Sequence, residues 1–288
     1  MEKKILLVPD VHGRQFWKDI LPFVDECEKI VFLGDYHDPY EYEGISYLDS
    51  INNFEEIVEF AKSHSDKVTL LIGNHDLSYY RRSVNDRWNV SANRFDVKYS
   101  NKLFDIFTSN HELFKIIDMA TIPGKMYQLT DSEATPASDR VFLFSHAGVQ
   151  NEWIERNKLI ENYNVLSTSA ETICKTLTDM FNKGDFKFRY ALNDIGFYRG
   201  GHCECGSIVW SDCHEFFMAP PTPYVQIFGH TQQLKQVFDH NIEEHTWNTW
   251  VIDAPAVYNS NICIDCHKCF YIDDEGLLRD LKTDEIIY

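Results

Sequence analysis

The feature that most constrains the fold is a pattern that occurs five times: a short aliphatic run ends directly in a cluster of polar residues. The runs span residues 5–9, 30–33, 68–72, 141–144 and 225–228. Continuous apolar runs of this length are typical of strands that are buried on both faces of a sheet. The polar residues after such strands gather at the carboxyl edge, where open α/β sheets bind ligands. The pattern therefore predicts an α/β fold with a site at this edge.

Apolar residues at helical spacing lie between the predicted strands. The segment from Ser50 to Ala61 shows this spacing, and Ser50 is its predicted N-cap. Two further helices are predicted over 101–114 and 169–181, each with an apolar face. We interpret these faces as core-facing because packing is the simplest role of such a stripe.

The chain shows no repeat, linker or low-complexity segment that would divide it, so we predict a single domain over residues 1–288. Two stretches interrupt the strand pattern, at approximately 77–140 and 149–222. We interpret them as helical cap insertions that cover the site and select the substrate. Two strands near the end, at about 262–265 and 270–273, are expected to pair and to close a second sheet.

The charge of the chain argues against two classes of partner. There are 27 Lys and Arg residues against 45 Asp and Glu residues, which gives a formal net charge of −18. A surface this acidic repels phosphate backbones and anionic lipid, so we expect neither a nucleic-acid nor a membrane partner. No apolar run approaches the roughly 20 residues of a membrane span, and the first apolar stretch is too short for a signal peptide. We therefore expect a cytoplasmic protein with reduced thiols. The oligomeric state does not follow from the sequence.

The cysteines permit two interpretations. Cys263, Cys266 and Cys269 are spaced as in some zinc sites, and such a site would recruit Cys203 and Cys205 from far upstream. Alternatively, all are buried thiols, because the isoleucines around the three indicate β-strand, and ligands spread along one strand do not readily meet at one ion. We favour buried thiols.

The polar clusters after the five runs combine carboxylate, imidazole and amide side chains. They are Asp10-Val-His12, Gly34-Asp35-Tyr-His-Asp38, Gly73-Asn74-His75-Asp76, His146-Ala-Gly148 and Gly229-His230-Thr231. Each cluster alone is weak evidence of a site. Together, at strand ends that converge, they supply the oxygen and nitrogen ligands that two divalent cations of intermediate hardness accept.

These five clusters, in this order, resemble the motifs of the calcineurin-like metallophosphoesterases, and the resemblance spans residues 10–231. It implies a four-layer αββα sandwich of two mixed β-sheets flanked by helices. Many members end in Gly-His-x-His, whereas Gln232 stands at the last position here. In this respect the chain resembles the phosphoprotein-phosphatase (Ser/Thr phosphatase) branch, including its bacterial and phage members, more than the nuclease or purple acid phosphatase branches.

The resemblance also implies the metal ligands and the reaction. The implied ligands are Asp10 and His12 on the first ion, Asp35 between both ions, and Asn74, His146 and His230 on the second ion. Two divalent metal ions would then activate a hydroxide that they share, and this hydroxide would attack phosphorus without a covalent intermediate. Manganese is the expected metal, although iron, zinc and nickel also accept these ligands.

Two residues next to the implied ligands are expected to handle the proton. By resemblance, His75 is the general acid that protonates the leaving alkoxide, and Asp38 orients its imidazole. The alternative is that His75 only orients Asn74. We favour the acid role.

The branch carries a phosphate-binding arginine at a position that Pro39 occupies in this chain. Proline cannot supply the paired hydrogen bonds of a guanidinium group. Arg14 and Arg199 are the candidates that would bind the substrate phosphate instead.

The residues therefore predict a metal-dependent phosphatase that hydrolyses phosphomonoesters, either of a Ser/Thr phosphoprotein or of a small phosphorylated metabolite. One alternative is a nucleotide phosphodiesterase or diadenosine-polyphosphate hydrolase, in which Tyr79, Tyr80 or Trp88 would stack on a base. A non-enzymatic alternative is a catalytically dead interaction scaffold. The scaffold is disfavoured because the six implied ligands, His75 and Asp38 are all present.

Overall fold

The computed structural model describes residues 2–80, 92–126, 138–220, 222–238, 248–252 and 255–288. Its α-helices are α1 (Tyr47–Ser63), α2 (Asn74–Tyr80), α3 (Ser100–Ser109), α4 (Asn151–Arg156), α5 (Ala170–Asn182) and α6 (Phe186–Ala191). Its strands are β1 (Lys3–Val8), β2 (Lys29–Phe32), β3 (Val68–Leu71), β4 (Phe114–Lys115), β5 (Ile117–Met126), β6 (Ser138–Ser145), β7 (Val225–Phe228), β8 (Leu234–Phe238), β9 (Asn248–Ile252), β10 (Ala256–Tyr258), β11 (Asn261–Cys263), β12 (Phe270–Asp273) and β13 (Leu278–Asp280). Short 3-10 helices span Phe16–Glu26, Glu41–Glu43, His111–Leu113, Phe197–Arg199 and Cys213–Phe216.

The strands form two mixed sheets and a separate antiparallel pair, β8–β9. The first sheet has the order β13-β12-β1-β2-β3-β4. Strands β1 to β4 are parallel to one another, β12 is antiparallel to β1, and β13 is antiparallel to β12. The second has the order β10-β11-β7-β6-β5, in which β11, β7 and β6 are parallel. Each sheet thus presents several parallel strands whose carboxyl ends lie at one edge.

The two sheets pack face to face through apolar side chains. Successive strand residues point to opposite sides, so each central strand has one face toward the other sheet and one toward the helices. Ile5 and Leu7 of β1 pack with Phe144 and Ile227 of the second sheet, whereas Leu6 faces the helices. This arrangement explains the continuous apolar runs, since both faces of each central strand are buried. The predicted fold of two mixed β-sheets flanked by helices is confirmed.

Two helices cover the outer faces of the sheets. Helix α1 lies against β3 and buries Phe54 and Ile57, and helix α5 lies against β5 and β6 and buries Ile173 and Leu177. Among the described helices, none has the length and apolarity that crossing a bilayer requires. The cytoplasmic location stays a prediction.

The helix boundaries differ from the predicted ones where capping chemistry decides them. Helix α1 begins one turn earlier than predicted because the Ser46 hydroxyl accepts the Asp49 N–H at 3.1 Å. Ser50 lies inside the helix and is buried, so its prediction as N-cap was wrong. Ser169, the first residue of the predicted helix over 169–181, is the N-cap of α5, since its hydroxyl accepts the Thr172 N–H at 3.2 Å.

The two strands near the end do not pair with each other, contrary to the expectation from the sequence. Strand β11 lies parallel to β7 in the second sheet, and β12 lies antiparallel to β1 in the first. Residues 264–269 therefore cross from one sheet to the other. Each strand lies inside a different sheet, β11 between β10 and β7 and β12 between β13 and β1, and a pattern of apolar residues does not specify this pairing.

The two stretches interpreted as insertions also contribute to the framework. The range 77–140 supplies β4 to the first sheet and β5 to the second, and the range 149–222 supplies α4, α5 and α6. The assignment of one domain with capping insertions stays a prediction.

An ion pair between Lys29 on β2 and the buried Asp118 on β5 makes stability depend on pH. Asp118 is 7% exposed, lies 2.6 Å from Lys29 Nζ and accepts the Thr69 hydroxyl at 2.8 Å. Burial alone would raise the pKa of this carboxyl, but the charges of Lys29 and Lys115 outweigh burial and lower it. Because the pKa is lower in the folded state, the carboxylate stabilises the fold above about pH 4, and this contribution is lost as pH falls through the folded-state pKa.

We expect Asp118→Asn to lower the free energy of unfolding by about 1–3 kcal/mol at pH 7. The difference from wild type should shrink as pH falls from about 4 through the lower folded-state pKa, because Asp118 is protonated first in the unfolded chain and then in the folded protein. Urea unfolding of wild type and variant at pH 7 and below about pH 4 measures this difference in the free energy of unfolding. Asp179→Asn is the control, because this exposed carboxylate pairs with Lys175 only at the surface. A difference that stays constant between the two pH values would contradict the prediction.

Candidate metal centre

Five strand ends place the predicted ligands around one point. Asp10 follows β1, Asp35 follows β2, Asn74 follows β3, His146 follows β6 and His230 follows β7. The first three strands belong to one sheet and the last two to the other, so the site lies where the two sheets meet at their carboxyl edges. This is the position that open α/β sheets favour for ligands.

The turns after the strands are sharp and are tied to one another. His12, Asp35 and His230 have positive φ angles of 44°, 52° and 66°. The Asp35 carbonyl accepts the His12 N–H at 2.7 Å, and the His146 carbonyl accepts the Gly229 N–H at 2.8 Å. Non-glycine residues adopt such angles at a cost, and that cost is common where side chains are aimed into a functional site.

The Asp35 carboxylate lies at the centre of the cluster. Its Oδ2 atom is 3.5 Å from His12 Nε2 and 3.5 Å from His146 Nε2. His146 Nε2 is also 3.0 Å from Asn74 Oδ1 and 3.1 Å from His230 Nδ1. Asp35 therefore lies between two groups of donors, as a bridging ligand must.

Two groups of donor atoms are close enough to hold one ion each. The atoms of His12, Asp35 and His75 all lie within 4.8 Å of one another, and so do those of Asp35, His146 and His230. Asp35 belongs to both groups, which agrees with its predicted bridging role. His75 was predicted as an acid, yet it lies in the first group. The assignment of the individual ligands stays a prediction.

Asp10 lies beside these groups and is held by the backbone. Its Oδ1 atom accepts the His230 N–H at 2.9 Å and lies 3.9 Å from His146 Nδ1. Burial and the charges of Asp265 and Asp35 raise the pKa of Asp10. A buried carboxylate with carboxylates as neighbours is unfavourable unless a cation compensates its charge.

The donors fit divalent cations in their chemistry as well as their spacing. Burial raises the pKa of Asp35, and burial lowers the pKa of His146 to about 3, so the imidazole is neutral and able to bind a metal. His230 Nε2 is buried and finds no hydrogen-bond partner among the described residues. Carboxylate, imidazole and amide ligands suit manganese, iron, zinc and nickel alike.

Close packing explains two glycines of the clusters. A Cβ atom at Gly73 would lie 2.1 Å from Asp35 Oδ1, and a Cβ atom at Gly229 would lie 2.1 Å from Asp10 Oδ1. Any side chain at either position would displace a carboxylate from the centre. These glycines are therefore required by the approach of the backbone to the predicted ligands.

His75 and Asp38 form the pair that the sequence predicts. His75 Nδ1 lies 2.8 Å from Asp38 Oδ2, and Asp38 Oδ1 accepts the Tyr79 hydroxyl at 2.8 Å. Burial would raise the pKa of Asp38, but the charges and hydrogen bonds of His37 and His75 bring it to about 2. An ionised Asp38 fixes the proton on Nδ1 of His75 and leaves Nε2 on the opposite side of the ring.

The comparison with known families agrees with this geometry. The sequence model of the family described as calcineurin-like phosphoesterase matches residues 3–234 of the 288-residue chain. The chain belongs to this family. Membership implies metal-dependent hydrolysis of phosphoester bonds, and the buried His and Asp cluster fits the metal site of a calcineurin-like phosphoesterase. No curated protein matches the sequence significantly.

The two arginines predicted to bind substrate lie beside this phosphoesterase centre, but the guanidinium group of each already pairs with a carboxylate of the protein. Arg14 pairs with Glu43 through Nη2 at 2.8 Å and donates to the Asp10 carbonyl at 3.3 Å. Arg199 pairs with Asp212 at 2.9 Å and donates to the Thr231 hydroxyl at 2.7 Å. Their role in substrate binding stays a prediction.

Two residues of the site have no role in the sequence-based account. Asp76 accepts the backbone N–H groups of Asp35 at 2.6 Å and Gly73 at 2.9 Å, so it holds two of the turns together. Its acidic character in the first turn of α2 was the available signal. The Nη2 atom of Arg94 lies 3.3 Å from Nε2 of His75. No sequence motif indicates Arg94 as a residue of the site.

The aromatic residues predicted to stack on a base do not form a common surface in the described residues. Tyr79 is 1% exposed and donates to Asp38. Tyr80 is partly buried and stacks on Phe181 with 5.6 Å between ring centroids. Trp88 lies outside the described residues.

The cysteines of the possible zinc site lie in different surroundings. Cys263 Sγ donates to the Gly229 carbonyl, Cys266 packs between the sheets, and Cys269 lies in the core beneath the helices. Cys205 lies elsewhere, beside Arg156. All eight cysteines are free thiols. The structure thus favours the interpretation as buried thiols.

Proposed function

We propose that this calcineurin-like phosphoesterase is a phosphatase of the phosphoprotein-phosphatase branch that hydrolyses phosphomonoesters with two divalent cations, manganese first among them. The observation that carries the proposal is the Asp35 carboxylate shared by two donor groups, with the His75–Asp38 pair next to it. A shared carboxylate suits a two-metal centre, and a histidine held by a carboxylate suits an acid beside it.

The proposal assigns the ions to named residues. Asp10, His12 and Asp35 would hold the first cation, and Asp35, Asn74, His146 and His230 would hold the second. When bound, the cations supply an activated water and positive charge for the phosphoryl oxygens.

Backbone N–H groups hold the carboxylates in place and oppose the rise that burial causes in their pKa. The His230 and His75 N–H groups donate to Asp10 and Asp35 at 2.9 and 3.0 Å, which favours the charged form of each carboxyl. The buried surroundings exclude bulk water and so strengthen every charge interaction at the centre.

His75 would deliver the proton that the leaving alkoxide needs. Asp38 holds the Nδ1 proton at 2.8 Å, so Nε2 is the ring atom from which a proton would be transferred when the imidazole is protonated. A Ser, Thr or sugar alkoxide is a poor leaving group, and protonation in the transition state is therefore worth most for these substrates. The pair supports a phosphoprotein or a small phosphorylated metabolite as substrate.

The substrate class is tested with the manganese-loaded protein and four substrates: p-nitrophenyl phosphate, bis-p-nitrophenyl phosphate, diadenosine tetraphosphate and a phosphoserine peptide. We expect kcat/KM for p-nitrophenyl phosphate to exceed that for its bis ester by at least about tenfold. Chelation should remove the activity, and manganese should restore it. A preference for the bis ester or diadenosine tetraphosphate would support the phosphodiesterase alternative. Metal binding without any hydrolysis would support the scaffold.

A further inference from the structure

Arg94 lies on the segment between α2 and α3 and reaches into the centre. Its Nη2 atom is 3.3 Å from His75 Nε2, and its Nε donates to the Asp38 carbonyl at 3.0 Å. The guanidinium lies over the Tyr40 ring, with Cζ 3.8 Å from the ring centroid. The side chain is therefore directed to Nε2 of His75, the ring atom from which the proton would be transferred.

The surroundings fix Arg94 in this position. Its φ angle of 70° is in the left-handed region, which costs a non-glycine residue free energy, and the Tyr47 hydroxyl donates to its carbonyl. The Tyr40 ring beneath the guanidinium also contacts His12, with 5.1 Å between ring centroids. Arg94 thus contacts the His75–Asp38 pair directly, and through the Tyr40 ring it packs near the predicted metal ligand His12.

Arg94 differs from the other two arginines of the site in its charge partners. Arg14 is paired with Glu43 and Arg199 with Asp212. In the part of the chain that the structure describes, no carboxylate pairs with Arg94, whose contacts are a carbonyl, an imidazole and a ring face. A partly buried guanidinium that forms no direct ion pair with a described carboxylate, next to a site for phosphate chemistry, favours the binding of an anion.

We propose that Arg94 binds the non-bridging oxygens of the substrate phosphate and supplies the guanidinium that Pro39 cannot. The proposal rests on the proposed function and names the residue that binds the phosphate of its substrate. A phosphate oxygen is a stronger acceptor for Nη2 than a neutral imidazole, so binding of substrate would release His75 Nε2 from Arg94. Arg94 would then act as a substrate-binding residue and not as a positioning residue for His75.

The test uses manganese-loaded Arg94→Gln and Arg94→Lys. Two quantities are measured: KM for p-nitrophenyl phosphate, and the dissociation constant of inorganic phosphate by calorimetric titration. We expect both to rise by about tenfold to a hundredfold in Arg94→Gln, because a charge-assisted hydrogen bond to phosphate is lost. Arg94→Lys should recover part of the loss, since it keeps the charge without the planar fork. Metal content should match wild type in both variants.

Arg140→Gln is the matched control. Arg140 also lies over a tyrosine, with Cζ 4.9 Å from the Tyr288 ring centroid, but it is near the opposite end of β6 from His146. Its substitution should change neither KM nor phosphate affinity.

The outcomes separate this proposal from the function on which it rests. A fall in kcat with unchanged phosphate affinity would overturn it and make Arg94 a positioning residue of His75. Equal phosphate affinity in wild type and Arg94→Gln, or no phosphate binding by wild type, would also overturn it. If wild type binds phosphate through Arg94 but does not hydrolyse the monoester, the proposed function fails and the phosphate site stands.

Discussion

Asp35→Asn is expected to reduce phosphomonoester hydrolysis by about a thousandfold or more, because the substitution removes the charge that two cations would share. The carboxylate Oδ2 lies 3.5 Å from both His12 Nε2 and His146 Nε2, and an amide N–H₂ in its place would face both sets of donors. Asn keeps the volume and can still accept the His75 N–H that Asp35 Oδ1 accepts at 3.0 Å. The fold should therefore survive while bound metal is lost.

Metal analysis after gel filtration, together with kcat/KM for p-nitrophenyl phosphate, measures this effect. Asp118→Asn is the control because it makes the same chemical change at a buried carboxylate on β5, away from the metal centre. We expect Asp118→Asn to lose stability but keep its metal and activity. Wild-type metal content and turnover in Asp35→Asn would show that Asp35 is not a bridging ligand.

His75→Asn is expected to lower kcat by about 10²- to 10⁴-fold while metal content stays near that of wild type. The loss should be larger for a phosphoserine peptide than for p-nitrophenyl phosphate, since nitrophenolate leaves without the help of an acid. Asp38→Asn should show the same dependence on the leaving group, because Asp38 holds the Nδ1 proton of His75.

The leaving-group comparison separates the acid role of His75 from the alternatives. If metal content and turnover fall together, His75 orients Asn74 or binds a metal itself, as its place in the first donor group permits. An equal loss for both substrates would also contradict the acid role. The first result would add His75 to the metal centre, whereas the second would leave the centre unchanged and assign the acid role to another group.

Local patterns in the sequence predicted an α/β fold with a site at the carboxyl edge, and the family resemblance implied the two mixed sheets. Apolar runs that are buried on both faces end in polar turns, and these turns meet at the carboxyl edge. Gly73 and Gly229 belong to those turns because the carboxylates of Asp35 and Asp10 leave no room for a Cβ atom. The chemistry of the ligands and the shape of the backbone therefore appear together in one short stretch of sequence.

Features that depend on contacts between distant segments did not follow from the sequence. The pairing of β12 with β1 joins residues near opposite ends of the chain, and no periodicity specifies it. Arg94 reaches His75 from a segment without a motif, and its stacking on Tyr40 requires the tertiary fold. The start of α1 at Tyr47 was missed for another reason: Ser46 and Ser50 are both acceptable caps, and only the observed Ser46–Asp49 hydrogen bond decides between them.

The central claim is that one carboxylate joins two cations at the edge where the sheets meet. A crystal structure of the manganese-loaded protein, with anomalous diffraction data collected at the manganese edge, tests it most directly. We expect two anomalous peaks, one on each side of Asp35, with His12 at one and His146 and His230 at the other. A single peak, or peaks away from Asp35, would contradict the account.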